Sequence, residues 1–395
     1  MTRANQPWWL SLPVDYHRRP VETPIDRQHR FKVGASAALD HVLKNGLAAG
    51  VLAAMVKNIR QHPLAEQIGE MDFYRDLADR GDPMQVFMPP TDQVAVRISR
   101  PKKPVPGIDS RTLRFDSTFE ALNPALRDRV ASHARNRIAE ARHWTHPDGP
   151  RPTLVFLHGY SLDAYWINSA MFSLRWFYDQ GWDVLLYTLP FHGSRRERFD
   201  PFSGFGYFSH GFAETNETML QAIHEVRTFM RYLRELGVPT IGISGLSLGG
   251  YLSALMAAVE KDLAFAMPNA AVVSPTDMLM EWAPLREAFQ RILPQAGLDL
   301  TDIRHATAIH CPLTWKPQVP AERLLIIAGA GDRFTAPRYQ NLLHEHWPGS
   351  HLHWFPGNHV MHLQQRNYLR LMRTLMRQAL SMEPDHDSHK QYPAG

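Results

Sequence analysis

The sequence has little cysteine, since Cys311 is the single cysteine among 395 residues. A disulfide needs two cysteines, so this excludes an internal disulfide and a zinc site built from cysteine ligands. Long hydrophobic runs are also missing. The longest apolar stretch, 46–56, is flanked by Lys44 and Lys57 and is too short for a membrane helix, which needs about 20 residues. Residues 1–15 show no apolar run typical of a signal peptide, so we predict a cytoplasmic protein.

A strong excess of one charge is missing as well. The 43 Lys and Arg residues stand against 39 Asp and Glu residues, which gives a formal net charge of +4. Because nucleic-acid binding needs a basic patch, we predict no nucleic-acid partner. The hydrophobic fraction of 44% is high enough for one large core or two smaller ones, and it excludes disordered and collagen-like chains. Nothing in the sequence indicates an oligomeric state.

Residues 1–135 show little strand pattern and are predicted to form a helix-rich N-terminal extension. Their clearest feature is a run of apolar residues four positions apart, which predicts a helix over about 35–59: Leu39, Leu43, Leu47, Val51, Met55 and Ile59. We expect this helix to pack on the main domain, and a surface helix that contacts lipid is the alternative. The proline-rich stretch 83–107 is expected to be extended.

After residue 136, short apolar runs alternate with amphipathic helices. This alternation predicts an α/β fold, with a mostly parallel sheet covered by helices on both faces over 136–380. Strands are expected at 138–144, 153–157, 183–189, 240–243, 323–328 and 351–355, with a further strand that ends at 273. A mixed insertion occupies 276–320. The polar tail 381–395 is expected to be disordered.

The strongest chemical signal is the sequence Gly-Leu-Ser-Leu-Gly over 245–249. It lies between the predicted strand at 240–243 and a predicted helix at 248–259. A serine in such a strand-to-helix turn is raised above the edge of the sheet, and flanking glycines allow the tight packing of the turn. We therefore predict that Ser247 is a nucleophile. The alternative is a tight turn with an inert serine.

A serine nucleophile needs a neighbouring base, and an acid must hold that base in the correct tautomer. Asp332 follows the predicted strand at 323–328, and His359 follows the strand at 351–355. Because both loops lie at the carboxyl edge of the sheet, we predict Asp332 as the acid and His359 as the base. Asp277 is the alternative acid, and His362 is the alternative base.

The oxyanion that forms during acyl transfer needs backbone N–H donors. We predict that the Leu248 amide is the first donor, because it directly follows Ser247. The second donor is expected in the loop after the strand at 153–157, from the amide of Tyr160 or, failing that, of Gly159.

Histidine is abundant, with 21 residues in the chain. Two pairs, His351 with His353 and His344 with His346, have a spacing at which metal ligands occur. No third ligand is spaced to complete either site, so we predict no metal. No step of the expected chemistry needs a cofactor, and none is predicted.

Residues 137–380 resemble the α/β-hydrolase fold superfamily. The motifs that carry the resemblance follow the order typical of that superfamily: His158 with Gly159, the loop 190–195, the turn at Ser247, Asp332 and His359. The sequence is most similar to bacterial esterases of the dienelactone-hydrolase and acyl-esterase type. The resemblance implies a serine esterase that forms an acyl-enzyme on Ser247. Its expected substrate is a small or medium acyl ester, with lipid esters included.

The resemblance also implies that the insertion at 276–320 is a cap that selects the substrate, together with the loop 190–210. Candidate substrate-binding residues in these segments and in the loop after the strand at 153–157 are His158, His192, Arg195, Met278 and Trp282. For Met278 and Trp282, packing on the domain is the alternative, and for Arg195 it is a solvated loop edge. Two other functions stay open: a serine peptidase or amidase on the same triad, and a binding protein that retains only the fold.

Overall fold

The structure is a computed structural model and describes residues 6–20, 23, 30–105, 107–171 and 173–381. The predicted disordered tail therefore lies outside the described residues, apart from its first residue. Among the described residues, ten strands form one sheet. The strands are β1 (Arg97–Ile98), β2 (Lys102–Val105), β3 (Ile108–Asp116), β4 (Ile138–Thr145), β5 (Thr153–Leu157), β6 (Asp183–Thr188), β7 (Ile241–Leu246), β8 (Ala266–Asn269), β9 (Leu325–Gly329) and β10 (His351–Phe355).

Fifteen α-helices lie in the described ranges. Those before β4 are α1 (Trp8–Ser11), α2 (Arg30–Gln61), α3 (Leu64–Arg80), α4 (Pro83–Val86) and α5 (Arg127–Ser132). Those after β4 are α6 (Tyr165–Met171), α7 (Leu174–Asp179), α8 (Phe205–Phe208), α9 (Gly211–Glu235), α10 (Leu248–Val259), α11 (Pro275–Leu279), α12 (Leu285–Gln295), α13 (Leu300–Thr307), α14 (Pro337–His346) and α15 (Gln365–Ser381). The insertion at 276–320 thus consists mainly of helices.

The strand order in the sheet is β1-β3-β4-β6-β5-β7-β8-β9-β10, with β2 also paired to β3. Pairing is parallel from β6 through β10 and antiparallel among β1–β4 and between β4 and β6. Successive side chains of β5 enter different cores: Val155 and Leu157 belong to one buried cluster, and Leu154 and Phe156 belong to another. Both faces of the sheet are therefore covered, as the sequence predicted.

Three strands precede residue 136, where the sequence showed little strand pattern. Strand β3 pairs with β4 along its length, from Asp109 opposite Thr145 to Asp116 opposite Ile138. The sheet therefore continues across the predicted boundary at 136. The stretch 83–107 is not uniformly extended, because α4 begins at Pro83, where a proline suits the first turn of a helix.

The strand that was predicted to end at 273 ends at Asn269 instead. The backbone of Ala270 turns into the left-handed region with φ 42°, and its N–H donates to the carbonyl oxygen of Ile327 at 2.8 Å. The chain then no longer pairs with β9, and the Val272 N–H donates to the carbonyl oxygen of Ser247 at 3.2 Å. The apolar residues 271–273 therefore pack beside the serine turn and do not extend β8.

The N-terminal helices pack on the sheet-containing part of the chain. The Trp8 indole N–H donates to the Thr314 hydroxyl at 2.9 Å, and the Tyr74 hydroxyl donates to buried Glu217 at 2.6 Å. Helix α2 extends over 30–61, longer at both ends than predicted. Its buried residues Ala48 and Val51 belong to a cluster with Trp282 and Phe289 of the insertion. The helix and the insertion thus form one layer above the carboxyl edge of the sheet.

Candidate active site

Ser247 lies at the junction of β7 and α10 in a strained backbone conformation, with φ 56° and ψ −113°. A residue with a side chain pays about 1–3 kcal/mol for such a conformation, so the surrounding structure must hold it. Two backbone hydrogen bonds fix the turn: the Ser247 N–H donates to Asn269 at 3.0 Å, and the Tyr251 N–H donates to Ser247 at 2.9 Å. The serine is therefore presented at the carboxyl edge of the sheet, as predicted.

The two glycines that flank the serine turn are required by close backbone contacts. A Cβ atom on Gly249 would lie 2.0 Å from the carbonyl oxygen of Leu157, and one on Gly245 would lie 2.4 Å from the carbonyl oxygen of Gly249. No side chain fits at such distances. The pattern in the sequence therefore has a steric cause, which is the packing of α10 against the end of β5.

Asp332 and His359 form a hydrogen-bonded pair on the loops that follow β9 and β10. Atom Nδ1 of His359 lies 2.7 Å from Oδ2 of Asp332. The other carboxylate oxygen of Asp332 accepts the N–H groups of Phe334 and Thr335, both at 2.8 Å. These bonds fix the carboxylate, which in turn holds the imidazole with Nδ1 protonated and Nε2 free to act as a base.

The environment of His359 favours its protonated form. Burial opposes protonation, but the interaction with Asp332, together with the charge of Asp40, outweighs burial and raises the pKa of His359 above its usual value. The ring of Phe334 stacks on the imidazole, with 4.7 Å between ring centroids. His359 is thus suited to accept a proton from a serine and to hold it during the reaction.

The predicted oxyanion donors lie next to Ser247. Leu248 is the first residue of α10, where an N–H group has no partner within the helix. The loop with Gly159 and Tyr160 passes close by, since a Cβ atom on Gly159 would lie 3.4 Å from the Cβ atom of Ser247. Tyr160, Leu248 and Ser247 all line the same cavity.

That cavity, which we call the acyl cavity, has a volume of about 350 Å³ and opens onto Ser247 and His359. Met278 and Trp282 of the insertion, which the sequence suggested as substrate contacts, lie in its wall. Helix α2 contributes much of the remaining wall, with Leu47, Val51, Leu52, Met55, Val56 and Ile59. Among the described residues, none of the side chains that line the cavity is Asp, Glu, Lys or Arg. It is therefore suited to an uncharged, apolar group.

His158 and His192 do not line the acyl cavity and are buried behind it. Atom Nε2 of His158 accepts the N–H of Leu189 at 3.1 Å, so Nδ1 carries the proton and donates to the carbonyl oxygen of Gly159 at 2.8 Å. Burial lowers the pKa of both histidines. The prediction of substrate contacts is therefore wrong for both. Through its hydrogen bonds to Leu189 and Gly159, His158 instead stabilises the loop that contains Tyr160.

Arg195 is neither a substrate contact nor a solvated residue. Its side chain is 1% exposed and forms a buried ion pair with Glu225, with two N–O distances of 2.7 and 2.9 Å. It also donates to the carbonyl oxygens of Thr188 and Asn136. Because a buried guanidinium needs partners for its charge and its donors, Arg195 is committed to the fold of the loop that follows β6.

The alternative acid and base have other partners. Asp277 is fully buried in an ion pair with Arg304, which also donates to the carbonyl oxygens of Leu12 and Pro13. Burial, together with the neighbouring charge of His359, lowers the pKa of His362 to about 4. Its Nδ1 atom lies 2.9 Å from the Tyr368 hydroxyl, and it does not line the acyl cavity. The geometry thus favours Asp332 and His359.

The sequence analysis missed Asp40 of α2, which lies beside the candidate triad. Its carboxylate is unexposed and accepts the backbone N–H of His359 at 3.0 Å. Asp40 is the one acidic residue in the sequence 30–61, and it lies one turn before Lys44. A lone carboxylate in a largely apolar helix was the signal that could have drawn attention to it.

Among the residues that the structure describes, one group of side chains could hold a metal ion. The ligand atoms of His133, His210 and Glu214 lie within 4.8 Å of one another near the start of α9. His133 is already bonded to Glu214 at 3.1 Å, and Arg129 forms an ion pair with the same carboxylate at 2.9 Å. A cation there would compete with Arg129. In one of the two histidine pairs that the sequence suggested, His344 is bonded to the Ser350 hydroxyl and His346 to the backbone carbonyl of Trp315.

A second cavity, also of about 350 Å³, lies on the side of α2 near Lys44. Three arginines line it together with Lys44: Arg18, Arg286 and Arg333. Its acidic member, Glu281, already binds Arg338 and the Tyr339 hydroxyl. The cavity therefore has the charge for an anionic group and contrasts with the uncharged acyl cavity. Among the helices of the described ranges, none is long and apolar enough to cross a membrane.

No protein-family model matches the chain. Two uncharacterized proteins, from two strains of Mycobacterium tuberculosis, are each 27% identical over 381 residues, which cover 92% of this chain and 86% of the relative. Acetyl xylan esterase 1 from Thermoanaerobacterium sp. aligns with a TM-score of 0.54 and 16% identity over 80% of this chain and 98% of its own. An acetyl xylan esterase from Paenibacillus sp. aligns with a TM-score of 0.50 and 15% identity over 80% and 99%. These similarities show that the chain has the α/β-hydrolase fold.

Proposed function

We propose that the chain is a serine hydrolase that cleaves carboxylic esters with an apolar acyl group. The observation that carries this proposal is the position of Ser247, on a strained turn in the wall of the same cavity as His359, whose imidazole is bonded to Asp332 at 2.7 Å. A non-catalytic protein gains nothing from a backbone strain of about 1–3 kcal/mol at a serine beside such a pair.

In the proposed mechanism, the Ser247 hydroxyl attacks the ester carbonyl while Nε2 of His359 takes its proton. The Leu248 and Tyr160 amides bind the oxyanion, and His359 then gives the proton to the leaving alcohol. Water attacks the acyl-enzyme in the second half, with His359 again as the base. The Asp332 carboxylate, bonded to Nδ1 of His359, stabilises the imidazolium in both halves.

The acyl cavity supports a medium-length acyl group more strongly than an acetyl group. A volume of about 350 Å³ with apolar walls gains binding energy from every methylene that leaves water, about 0.8 kcal/mol each. A cytoplasmic location and peripheral contact with lipid remain predictions of the sequence. We assign no cofactor, because every step uses groups of the chain and water.

The test is covalent labelling by a fluorophosphonate, which reacts with activated serines. We expect the wild type to be labelled and Ser247→Ala to be unlabelled. Ser161→Ala is the matched control, because Ser161 also lines the acyl cavity but its hydroxyl donates to the carbonyl oxygen of Ser203. This control is expected to label like the wild type. A folded wild type that never labels contradicts the proposal.

A further inference from the structure

One carboxylate oxygen of Asp40 joins the two loops that carry the candidate acid and base. Its Oδ2 atom accepts the N–H of Arg333 at 3.0 Å and the N–H of His359 at 3.0 Å. Arg333 directly follows Asp332 in the chain. The same oxygen therefore accepts the backbone N–H of the residue next to Asp332 and the backbone N–H of His359 itself.

We propose that Asp40 is a positioning residue that holds the loop of His359 against the loop of Asp332, so that the N-terminal helix α2 acts on the candidate acid and base through the backbone of their loops. The Asp332–His359 hydrogen bond is made between side chains on these two loops. A shift of about 1 Å between reacting groups can cost about 100-fold in rate, so a common anchor for both backbones has a direct effect on catalysis.

Helix α2 is itself fixed in place on the C-terminal side of Asp40. One turn further along, the Lys44 ammonium donates to the carbonyl oxygen of Glu281 at 3.3 Å, just after α11. Beyond Lys44, residues Val51, Leu52 and Met55 line the acyl cavity. The same helix therefore carries the anchor of the base loop and a wall of the substrate cavity. A change that displaces α2 is expected to disturb both.

The charge around Asp40 makes its role depend on pH. Four titratable or charged groups face it: Asp332, His359, Arg333 and Lys44. Burial and the nearby charge of Asp332 raise the pKa of Asp40 to about 6, against the opposing effect of its two backbone hydrogen bonds. Its Oδ1 atom is buried without a hydrogen-bond partner among the described residues. That oxygen can carry a proton without breaking either bond at Oδ2.

When ionised, Asp40 also acts on the imidazole. His359 is faced by Asp332, Asp40 and His362, and the negative charge of Asp40 contributes to the raised pKa of His359. Removal of that charge is expected to lower the pKa of His359. Because the base must be neutral before it takes the serine proton, the acidic limb of kcat/KM should then move to lower pH.

Two variants separate position from charge. Asp40→Asn can keep both hydrogen bonds through its amide oxygen but has no charge, whereas Asp40→Ala loses both bonds. We expect Asp40→Asn to keep kcat within about threefold of wild type while its acidic limb moves to lower pH. We expect Asp40→Ala to lower kcat by about 10- to 100-fold, with a smaller change in KM.

A matched control is available at Glu217, another buried carboxylate that accepts backbone N–H groups from a distant segment, at Leu122 and Asn123. Glu217→Gln and Glu217→Ala should reduce stability without moving the pH profile or the kcat of the folded protein. A loss of kcat in Glu217→Ala equal to that in Asp40→Ala would show a general packing effect and overturn the inference.

The kinetic readout rests on the proposed hydrolase function, so a second readout that needs no substrate is required. The titration of the His359 imidazole can be followed by NMR in the wild type and in Asp40→Asn. A lower pKa in the variant supports the inference even if no ester is cleaved, in which case the proposed function alone fails. An unchanged His359 pKa in Asp40→Asn overturns the action of the Asp40 charge on the imidazole, and a folded Asp40→Ala with the kcat of the wild type overturns the positioning role.

Discussion

The indole N–H of Trp282 donates to the carbonyl oxygen of Phe334 at 3.2 Å. Phe334 is the residue whose ring stacks on His359, so this bond connects the insertion to the candidate base. The two aromatic rings also meet edge to face, with 5.7 Å between centroids. The insertion therefore supports the site as well as enclosing the acyl cavity.

Replacement of Trp282 by phenylalanine should reduce catalysis, because it removes the bond to Phe334 but keeps most of the aromatic volume. A lost neutral hydrogen bond of about 1 kcal/mol corresponds to a decrease of about fivefold in kcat/KM for a medium-chain ester. Steady-state kinetics would measure it. Trp166→Phe is the control, since Trp166 is 75% exposed, and an equal decrease there would contradict the specific role of Trp282.

The acyl cavity should set the chain length of the substrate. Ala288 of α12 lines it, so Ala288→Trp is expected to fill part of the space that a longer acyl chain needs. We expect turnover of an octanoyl ester to fall by at least about tenfold while that of an acetyl ester changes little. A panel of acyl esters of increasing length would measure the shift.

The control for this variant lies two residues away on the same helix. Gln290 is exposed and does not line the acyl cavity, so Gln290→Trp adds the same side chain without filling it. Its chain-length profile should match the wild type. If Ala288→Trp reduces acetyl and octanoyl turnover equally, the acyl group does not occupy this cavity.

The sequence was informative where the relevant signal is local. The serine turn is recognisable because a strand, two glycines with steric roles and a helix follow one another within a short stretch of chain. Asp332 and His359 could be predicted because each lies just after a predicted strand, and parallel strands present their carboxyl ends at one edge of the sheet. The structure places His359 in the wall of the cavity that contains Ser247, with Asp332 bonded to its imidazole.

The sequence could not show contacts between distant parts of the chain. Asp40 and His359 are 319 positions apart, and no periodicity in α2 indicates which loop its carboxylate meets. Arg195 looked like a loop residue, because its partner Glu225 lies on α9, 30 positions away. Local patterns give the elements and their order, whereas the pairing of buried charges depends on how those elements pack.

The Arg195–Glu225 ion pair should contribute to stability and not to substrate binding. Removal of one partner leaves the other charge buried and unpaired, which costs about 3–5 kcal/mol. Arg195→Met is therefore expected to lower the free energy of unfolding by that amount, measured by urea denaturation, while KM of the folded fraction stays at the wild-type value. A raised KM with unchanged stability would restore Arg195 as a substrate contact.

Peripheral lipid contact should involve the two most exposed large aromatic side chains among the described residues. Trp166 is 75% exposed and Phe199 is 89% exposed. We expect the wild type to co-sediment with anionic liposomes and the double variant Trp166→Ser, Phe199→Ser to remain in solution. Leu236→Ser removes a leucine that is 46% exposed elsewhere and serves as the control. Absence of the wild type from the liposome pellet rules out this contact.

Acid should destabilise the fold through buried neutral histidines, of which His143 on β4 is a clear case. Burial, assisted by the charge of Arg111, lowers its pKa to about 4. In the unfolded chain a histidine has a pKa of about 6.5. The unfolded state therefore binds more protons below that pH, and stability is present above pH 6.5 and lost as the pH falls toward 4.

His143→Leu tests this sign, since it removes the titrating group from a buried site. A histidine whose pKa is lowered in this way reduces the free energy of unfolding by about 2 kcal/mol between pH 7 and pH 5. The loss of unfolding free energy between pH 7 and pH 5, measured in urea, should therefore be smaller in His143→Leu than in the wild type by about that amount. His351→Leu, at an exposed position of β10, should keep the wild-type pH dependence. If His143→Leu loses as much unfolding free energy between pH 7 and pH 5 as the wild type and His351→Leu do, His143 is not held neutral in the folded protein.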